Sequence, residues 1–156
     1  MATPLSARRT DTYRLLVENR EQLNSAIAGL SPDKMLVPVL DNWSVKDILT
    51  HISSWDELLL PDIFRLARGH AAGLACNVQE ATDKWNGLLM SVRRHFPLDQ
   101  VLAEFGETRD ALLKALDEVP GDQFDSGPVP GNCQVTAFHD WEHARDIREW
   151  RSREGV

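Results

Sequence analysis

The clearest helix signal in the sequence is SVKDILTHISSWDELL, residues 44–59. Ser44 offers a capping hydroxyl three residues before Asp47, which resembles a capping box although glutamate or glutamine is the usual partner. Apolar residues then recur at i, i+4, i+7 and i+11, namely Ile48, Ile52, Trp55 and Leu59. This spacing is typical of an amphipathic helix that packs its apolar stripe against other helices.

The rest of the chain also favours helices, because Leu, Ala, Glu, Arg and Asp recur at helical spacing and alternating runs of Val, Ile and Thr are almost absent. Pro61 is expected either to kink the helix that starts at Ser44 or to break it before Asp62. The prediction is an all-α protein, a four-helix bundle with one or two additional short helices, formed by residues 1–156 as a single domain. We expect helices over residues 6–29, 44–68, 80–95, 97–119 and 134–153, a helical turn at 31–33, and loops at 69–77 and 120–132.

The composition limits the possible partners. The formal charge of −7 argues against binding to nucleic acid or to anionic membranes. No run approaches the ~20 apolar residues of a membrane span, and residues 1–10 lack the apolar segment of a secretory signal, so we expect a cytoplasmic protein. Cys76 and Cys133 lie far apart in the sequence, and we interpret them as structural thiols rather than a disulfide.

Three of the five histidines have positions that suit a metal site. His139 and His143 are four residues apart on the last predicted helix, so they project from one face, on a stripe that also carries Asp146. His51 lies on the apolar side of the predicted helix that starts at Ser44. If these helices cross, the three imidazoles would bind a divalent cation and leave a coordination position open, as catalytic sites do. The residues alone leave a second interpretation open, in which His51 is a hydrogen-bonded core residue and the four-residue spacing arises by chance.

The sequence contains two further histidine patterns. Residues 139–143 match H-x-x-E-H, the inverted zincin pattern in which glutamate is the general base. We do not expect a protease, because too little sequence follows for a peptide-binding cleft, but Glu142 stays a candidate acid or base. His70 and His95 fall at predicted helix ends and are expected to face solvent.

Several segments resemble one protein family. NWSVKDILTH at residues 42–51 and FHDWEHARDIREW at residues 138–150 are similar to the second and last helices of the DinB-like superfamily, and residues 29–33 resemble its exit from the first helix. That superfamily includes YfiT-like metal-dependent hydrolases and the ClbS/DfsB branch. The resemblance extends from about residue 6 to 151 and implies a four-helix bundle in which His51, His139 and His143 bind a divalent metal, with Zn or Ni favoured and Co and Fe(II) also suited.

The resemblance also implies a function. Relatives include transferases and isomerases that use low-molecular-weight thiols, so the expectation is an enzyme in which a metal-activated thiol attacks a small electrophilic substrate. Asp146 would orient an imidazole or act, like Glu142, as an acid or base. Trp55, Trp85 and Asn86 are candidate pocket residues, since the Trp85-Asn86 pair resembles one in the ClbS/DfsB branch.

Two alternatives remain open at this stage. One is metal-dependent hydrolysis with Glu142 or Asp146 as base, which would need no thiol. The other is a non-catalytic or metal-free protein that binds and sequesters a small molecule, as in self-protection of the ClbS/DfsB type. A homodimer is possible for such a bundle, although no residue of the sequence specifies one.

Overall fold

The computed structural model describes residues 6–73 and 79–156, and it confirms the all-α prediction. The four long helices are α1 (Ala7–Ile27), α2 (Val45–Leu66), α4 (Leu98–Asp117) and α6 (Val129–Glu154), and the shorter ones are α3 (Gln79–Arg93) and α5 (Gly121–Ser126). A 3-10 turn (Lys34–Leu36) and an antiparallel ribbon of β1 (Pro38–Leu40) and β2 (Trp43–Ser44) connect α1 to α2. Cys76 lies outside the described residues.

Helix α2 begins as its sequence predicts. The Ser44 hydroxyl accepts from the Asp47 N–H at 3.1 Å, and an Asp47 carboxylate oxygen accepts from the Ser44 N–H at 3.0 Å, which completes a capping box. Pro61 does not end the helix, which continues to Leu66. Residues on either side of Pro61, such as Leu59 and Ile63, therefore lie on one continuous helix.

The ribbon between α1 and α2 was not predicted. Its strands are three and two residues long, too short to produce an alternating pattern, and Asp41 makes the turn between them with a φ of +50°. The ribbon delivers Trp43 to the start of α2, where its ring meets the ring of His51 edge to face with centroids 4.8 Å apart.

The prediction of a loop over residues 120–132 is wrong. Residues 121–126 form α5, and α6 begins at Val129 rather than near residue 134. The prolines lie where helices tolerate them, since Pro120 and Pro128 precede the first residues of α5 and α6 and Pro130 falls in the first turn of α6. Proline in this segment marks helix starts instead of a loop.

The bundle interior consists of two apolar clusters separated by charged residues. One cluster contains Leu23, Ile48, Ile52, Phe105 and Ile147, among others. The other contains Leu16, Leu59, Leu112, Phe124 and Ala137, among others. Between the clusters, each long helix places one charged side chain at a core position: Arg20 on α1, Asp56 on α2, Arg109 on α4 and Asp140 on α6.

These four residues, the ionic quartet, pair in a closed network. Arg20 donates to Asp56 at 2.9 Å and to the two oxygens of Asp140 at 3.0 and 3.2 Å. Arg109 donates to the two oxygens of Asp56 at 3.1 and 3.2 Å and to Asp140 at 2.8 Å. Both aspartates are fully buried, and the two arginines are at most 6% exposed. The quartet has no net charge, and every member is paired, as burial requires.

In the described part of the chain, no helix has both the length and the apolar character needed to cross a membrane.

Removal of one cation from the ionic quartet is expected to destabilise the bundle strongly. Arg109→Leu leaves two buried carboxylates to share Arg20, which costs about 3–5 kcal/mol in the free energy of unfolding. Urea denaturation followed by circular dichroism measures this loss. The matched control is Arg14→Leu on the exposed face of α1, where the ion pair with Asp11 is open to solvent and the change should stay within about 0.5 kcal/mol. Similar small losses in both variants would contradict a structural role for the quartet.

Candidate metal centre

The structure brings His51, His139 and His143 together from two helices. His51 projects from the second turn of α2, and the other two project from one face of α6, one turn apart. The Nε2 atom of His139 lies 2.7 Å from that of His51 and 3.2 Å from that of His143. One ligand atom from each of the three histidines lies within 4.8 Å of the other two.

Burial keeps these imidazoles neutral. It lowers the pKa of His51 from 6.5 to about 3, with the neighbouring His143 as a smaller cause. Burial also lowers the pKa of His139 well below its usual value, reinforced by the two other histidines and by Arg109 and Arg20. The pKa of His143 is lowered by burial too, against an opposing effect of Asp146. Neutral imidazole is the form that binds a cation, because the ring nitrogen must offer a lone pair.

The distances between the ring nitrogens fit a divalent cation. Two nitrogens bound at about 2.0–2.1 Å to one tetrahedral ion are about 3.3 Å apart. The separation between His143 and His139 is already 3.2 Å, and that between His51 and His139 would have to open by about 0.6 Å. The ligand atoms of His51 and His143 lie within 4.8 Å of each other, so small side-chain shifts bring all three around one ion. The residues present therefore fit a three-histidine site for Zn or a similar ion.

The Nε2 atoms of the three histidines lie close to one another, whereas two of the Nδ1 atoms have no hydrogen-bond partner among the described residues. In the described part of the chain, Nδ1 of His51 is buried and has no hydrogen-bond partner. Nδ1 of His143 faces Asp146 at 3.5 Å, which is too long for an ordinary hydrogen bond. Here the closest polar contacts of the three rings are with one another.

The ionic quartet orients the helices that carry the histidines. Asp140 directly follows His139 on α6, and Asp56 lies five residues after His51 on α2. Because both aspartates bind the same two arginines, neither helix can rotate without breaking buried ion pairs. Trp43 and Trp55 add edge contacts to the ring of His51, with centroids 4.8 and 6.4 Å away.

A cavity of about 500 Å³ opens beside the histidines, a size typical of small-molecule sites. His51 and His139 form part of its lining, together with apolar side chains of α2 and α6. Its remaining lining residues are Arg8, Trp55, Leu59, Thr82, Asn86, Pro128, Gly131, Asn132, Val135, Thr136, Phe138 and Glu142.

The predicted pocket residues fall in different places. Trp55 and Asn86 both line the cavity, and the Trp55 indole N–H donates to the Asn86 side-chain oxygen at 2.9 Å. Trp85 is half-buried on α3 and is not among the lining residues. Glu142 lines the cavity beside the histidines, whereas Asp146 faces His143 and the guanidinium of Arg145, the latter at 2.8 Å. At this position Asp146 could orient the imidazole of His143.

The structure also shows where the other two histidines and Cys133 lie. His70 and His95 are exposed and lie just after the ends of α2 and α3. Cys133 is buried in α6, and burial raises the pKa of its thiol to about 12, which removes it as a nucleophile.

Sequence reasoning missed the ionic quartet and Arg8. The quartet had a visible signal, since each charge occupies an apolar-stripe position of its helix, as Asp56 does four residues after Ile52. Arg8 had no such signal, because it is one of two consecutive arginines near the start of α1. Only the approach of α5 and α6 to that end of α1 places it at the cavity.

Comparisons with known proteins agree with this architecture. A solved structure of an uncharacterised protein from Escherichia coli UTI89 is similar at 12% identity and a TM-score of 0.77, over 97% of each chain. At that identity the similarity is one of fold alone. No curated protein matches the chain.

A match to a protein-family model shows which family the chain belongs to. The model described as the DinB superfamily matches residues 15–147, a range that contains His51, His139 and His143. Because this match covers most of the sequence, the chain belongs to the DinB superfamily.

Proposed function

We propose that this protein is a metal-dependent enzyme that joins a low-molecular-weight thiol to a small electrophilic substrate. The observation that carries the proposal is the convergence of three Nε2 atoms, from His51, His139 and His143, beside an apolar cavity. The DinB superfamily, whose members often bind metals, supports the same interpretation.

His51, His139 and His143 would hold the ion, with Zn or Ni favoured for a set of three imidazoles. When bound, a divalent cation with three neutral ligands keeps its full charge and lowers the pKa of a thiol or water that joins it. Asp146 would hold the ring of His143 from its Nδ1 side. Trp55, Leu59 and Val135 would exclude water from the electrophile, because they form part of the apolar wall of the cavity.

Glu142 supports a second candidate, metal-dependent hydrolysis. Its carboxylate lines the same cavity as His51 and His139, and the structure describes no ion pair for it. An unpaired carboxylate beside a substrate cavity is suited to accept a proton from an attacking water. In thiol transfer the same carboxylate would have no required role, and this difference separates the two candidates.

The metal site is tested first by elemental analysis of untagged protein that has been loaded with Zn or Ni and then desalted. We expect about one ion per chain, and its loss in His51→Ala, His139→Ala and His143→Ala. The exposed His95→Ala is the matched control and should keep the metal. A native protein that retains no ion after loading would overturn both metalloenzyme candidates and favour a metal-free binding protein.

The reaction is tested with 1-chloro-2,4-dinitrobenzene and a panel of thiols that includes glutathione, bacillithiol and mycothiol. The metal-loaded protein should accelerate conjugation of at least one thiol, and His51→Ala should not. If a protein that retains its ion accelerates no conjugation but hydrolyses p-nitrophenyl acetate without a thiol, then the transferase proposal fails and hydrolysis takes its place.

Glu142→Gln distinguishes the two reactions further. Loss of a general base lowers the rate about 10²–10⁴-fold, so hydrolysis should fall by that amount while thiol conjugation changes little. Glu149→Gln is the matched control, because Glu149 is exposed on the same helix and does not line the cavity. Equal losses in both variants would show that only the surface charge matters.

A further inference from the structure

The cavity beside the histidines is elongated. Its lining on α6 extends from Pro128 to Glu142, which at 1.5 Å per residue is about 21 Å. On α2 the lining extends from His51, which meets His139, to Leu59, which packs in the same cluster as Val129. The helices α2 and α6 therefore run antiparallel along the cavity. The histidines lie at one end of the cavity, and the start of α6 lies at the other.

The two ends differ in charge. The histidine end presents neutral imidazoles and the carboxylate of Glu142. The far end presents Arg8, which alone among the described lining residues carries a permanent positive charge. Between the ends the wall is largely apolar, and the indole N–H of Trp55 donates to the side-chain oxygen of Asn86.

The guanidinium of Arg8 is available for an anion. It donates to the backbone carbonyl of Asp125, whose carboxylate accepts from the Ser6 hydroxyl instead. Across the described ranges, no carboxylate forms an ion pair with Arg8, and its side chain is exposed. A guanidinium with free N–H groups offers two parallel donors that match a carboxylate.

We propose that the cavity binds an elongated apolar molecule with a terminal carboxylate, which pairs with Arg8 while the apolar body lies along α6 and the opposite end reaches the histidines. The assignment of that opposite end as the reacting one rests on the proposed function. The binding of the carboxylate does not, since it needs only Arg8 and the apolar wall. The net charge of −7 makes a local cation the more important for an anionic ligand.

The test uses metal-free protein, so that the carboxylate cannot bind an ion at the histidines. The neutral dye N-phenyl-1-naphthylamine reports occupancy of the cavity by fluorescence, and decanoate and decan-1-ol compete with it. The ratio of the two competitors' dissociation constants is compared between Arg8→Gln and Arg14→Gln. Arg14 is the matched control, because it lies exposed on α1, is paired with Asp11, and does not line the cavity.

We expect Arg8→Gln to weaken decanoate about fivefold relative to decan-1-ol, the size of one partly exposed charge pair, and Arg14→Gln to leave the ratio unchanged. Arg8→Lys should recover most of the preference. Gly131→Leu should weaken both competitors and the dye, because a Cβ there meets no heavy atom within 4 Å and the added side chain would occupy the cavity.

Equal effects of Arg8→Gln and Arg14→Gln would overturn the proposal, since only net charge would then matter. Failure of decanoate to displace the dye from the native protein would overturn it as well. Neither result bears on the metal content of the loaded protein, which tests the proposed function separately. Circular dichroism of each variant establishes that it is folded.

Discussion

The buried ionic quartet is the constraint on which the rest of the structure depends. Four helices each contribute one charge, and each charge lies between two apolar clusters, as Arg20 does between Leu16 and Leu23. Burying four charges costs several kcal/mol per ion unless each is fully paired. An axial shift or a rotation of any one of these helices would separate its charge from at least one buried partner. The network therefore disfavours packings that apolar stripes alone would permit but that leave a buried charge unpaired.

The same selection defines the candidate metal centre. Because Asp140 and Asp56 are fixed by the arginines, α6 and α2 present His139 and His51 toward each other at a set depth. The arginines also contribute to lowering the pKa of His139, since a nearby positive charge disfavours a second one. A network with no net charge thus holds three imidazoles that are neutral and close enough to share an ion.

Local spacing predicted the four long helices and the pair His139 and His143, and the resemblance to the DinB-like superfamily pointed to His51 as the third histidine of the group. The capping box at Ser44 and the i, i+4 pair His139 and His143 are complete within a few residues. The ribbon of Pro38–Leu40 and Trp43–Ser44, helix α5 and the start of α6 at Val129 were missed. Strands of three and two residues show no periodicity, and proline was interpreted as a loop signal. The charges of the quartet interrupt the apolar stripes of their helices, but their pairing depends on contacts between residues far apart in the sequence. The cavity depends on such contacts too, and no local pattern predicts them.

Helix α6 contributes one face to the core of the bundle and another face to the lining of the cavity. One face carries Asp140, Ala144 and Ile147, which are fully buried in the bundle. An adjacent face carries Val135 and Phe138, whose side chains are 64% and 56% exposed although they are apolar. Exposed apolar residues that line a cavity indicate a surface that a ligand covers. The histidines lie between these faces, so a molecule that covered the exposed face would meet the candidate metal centre at its end.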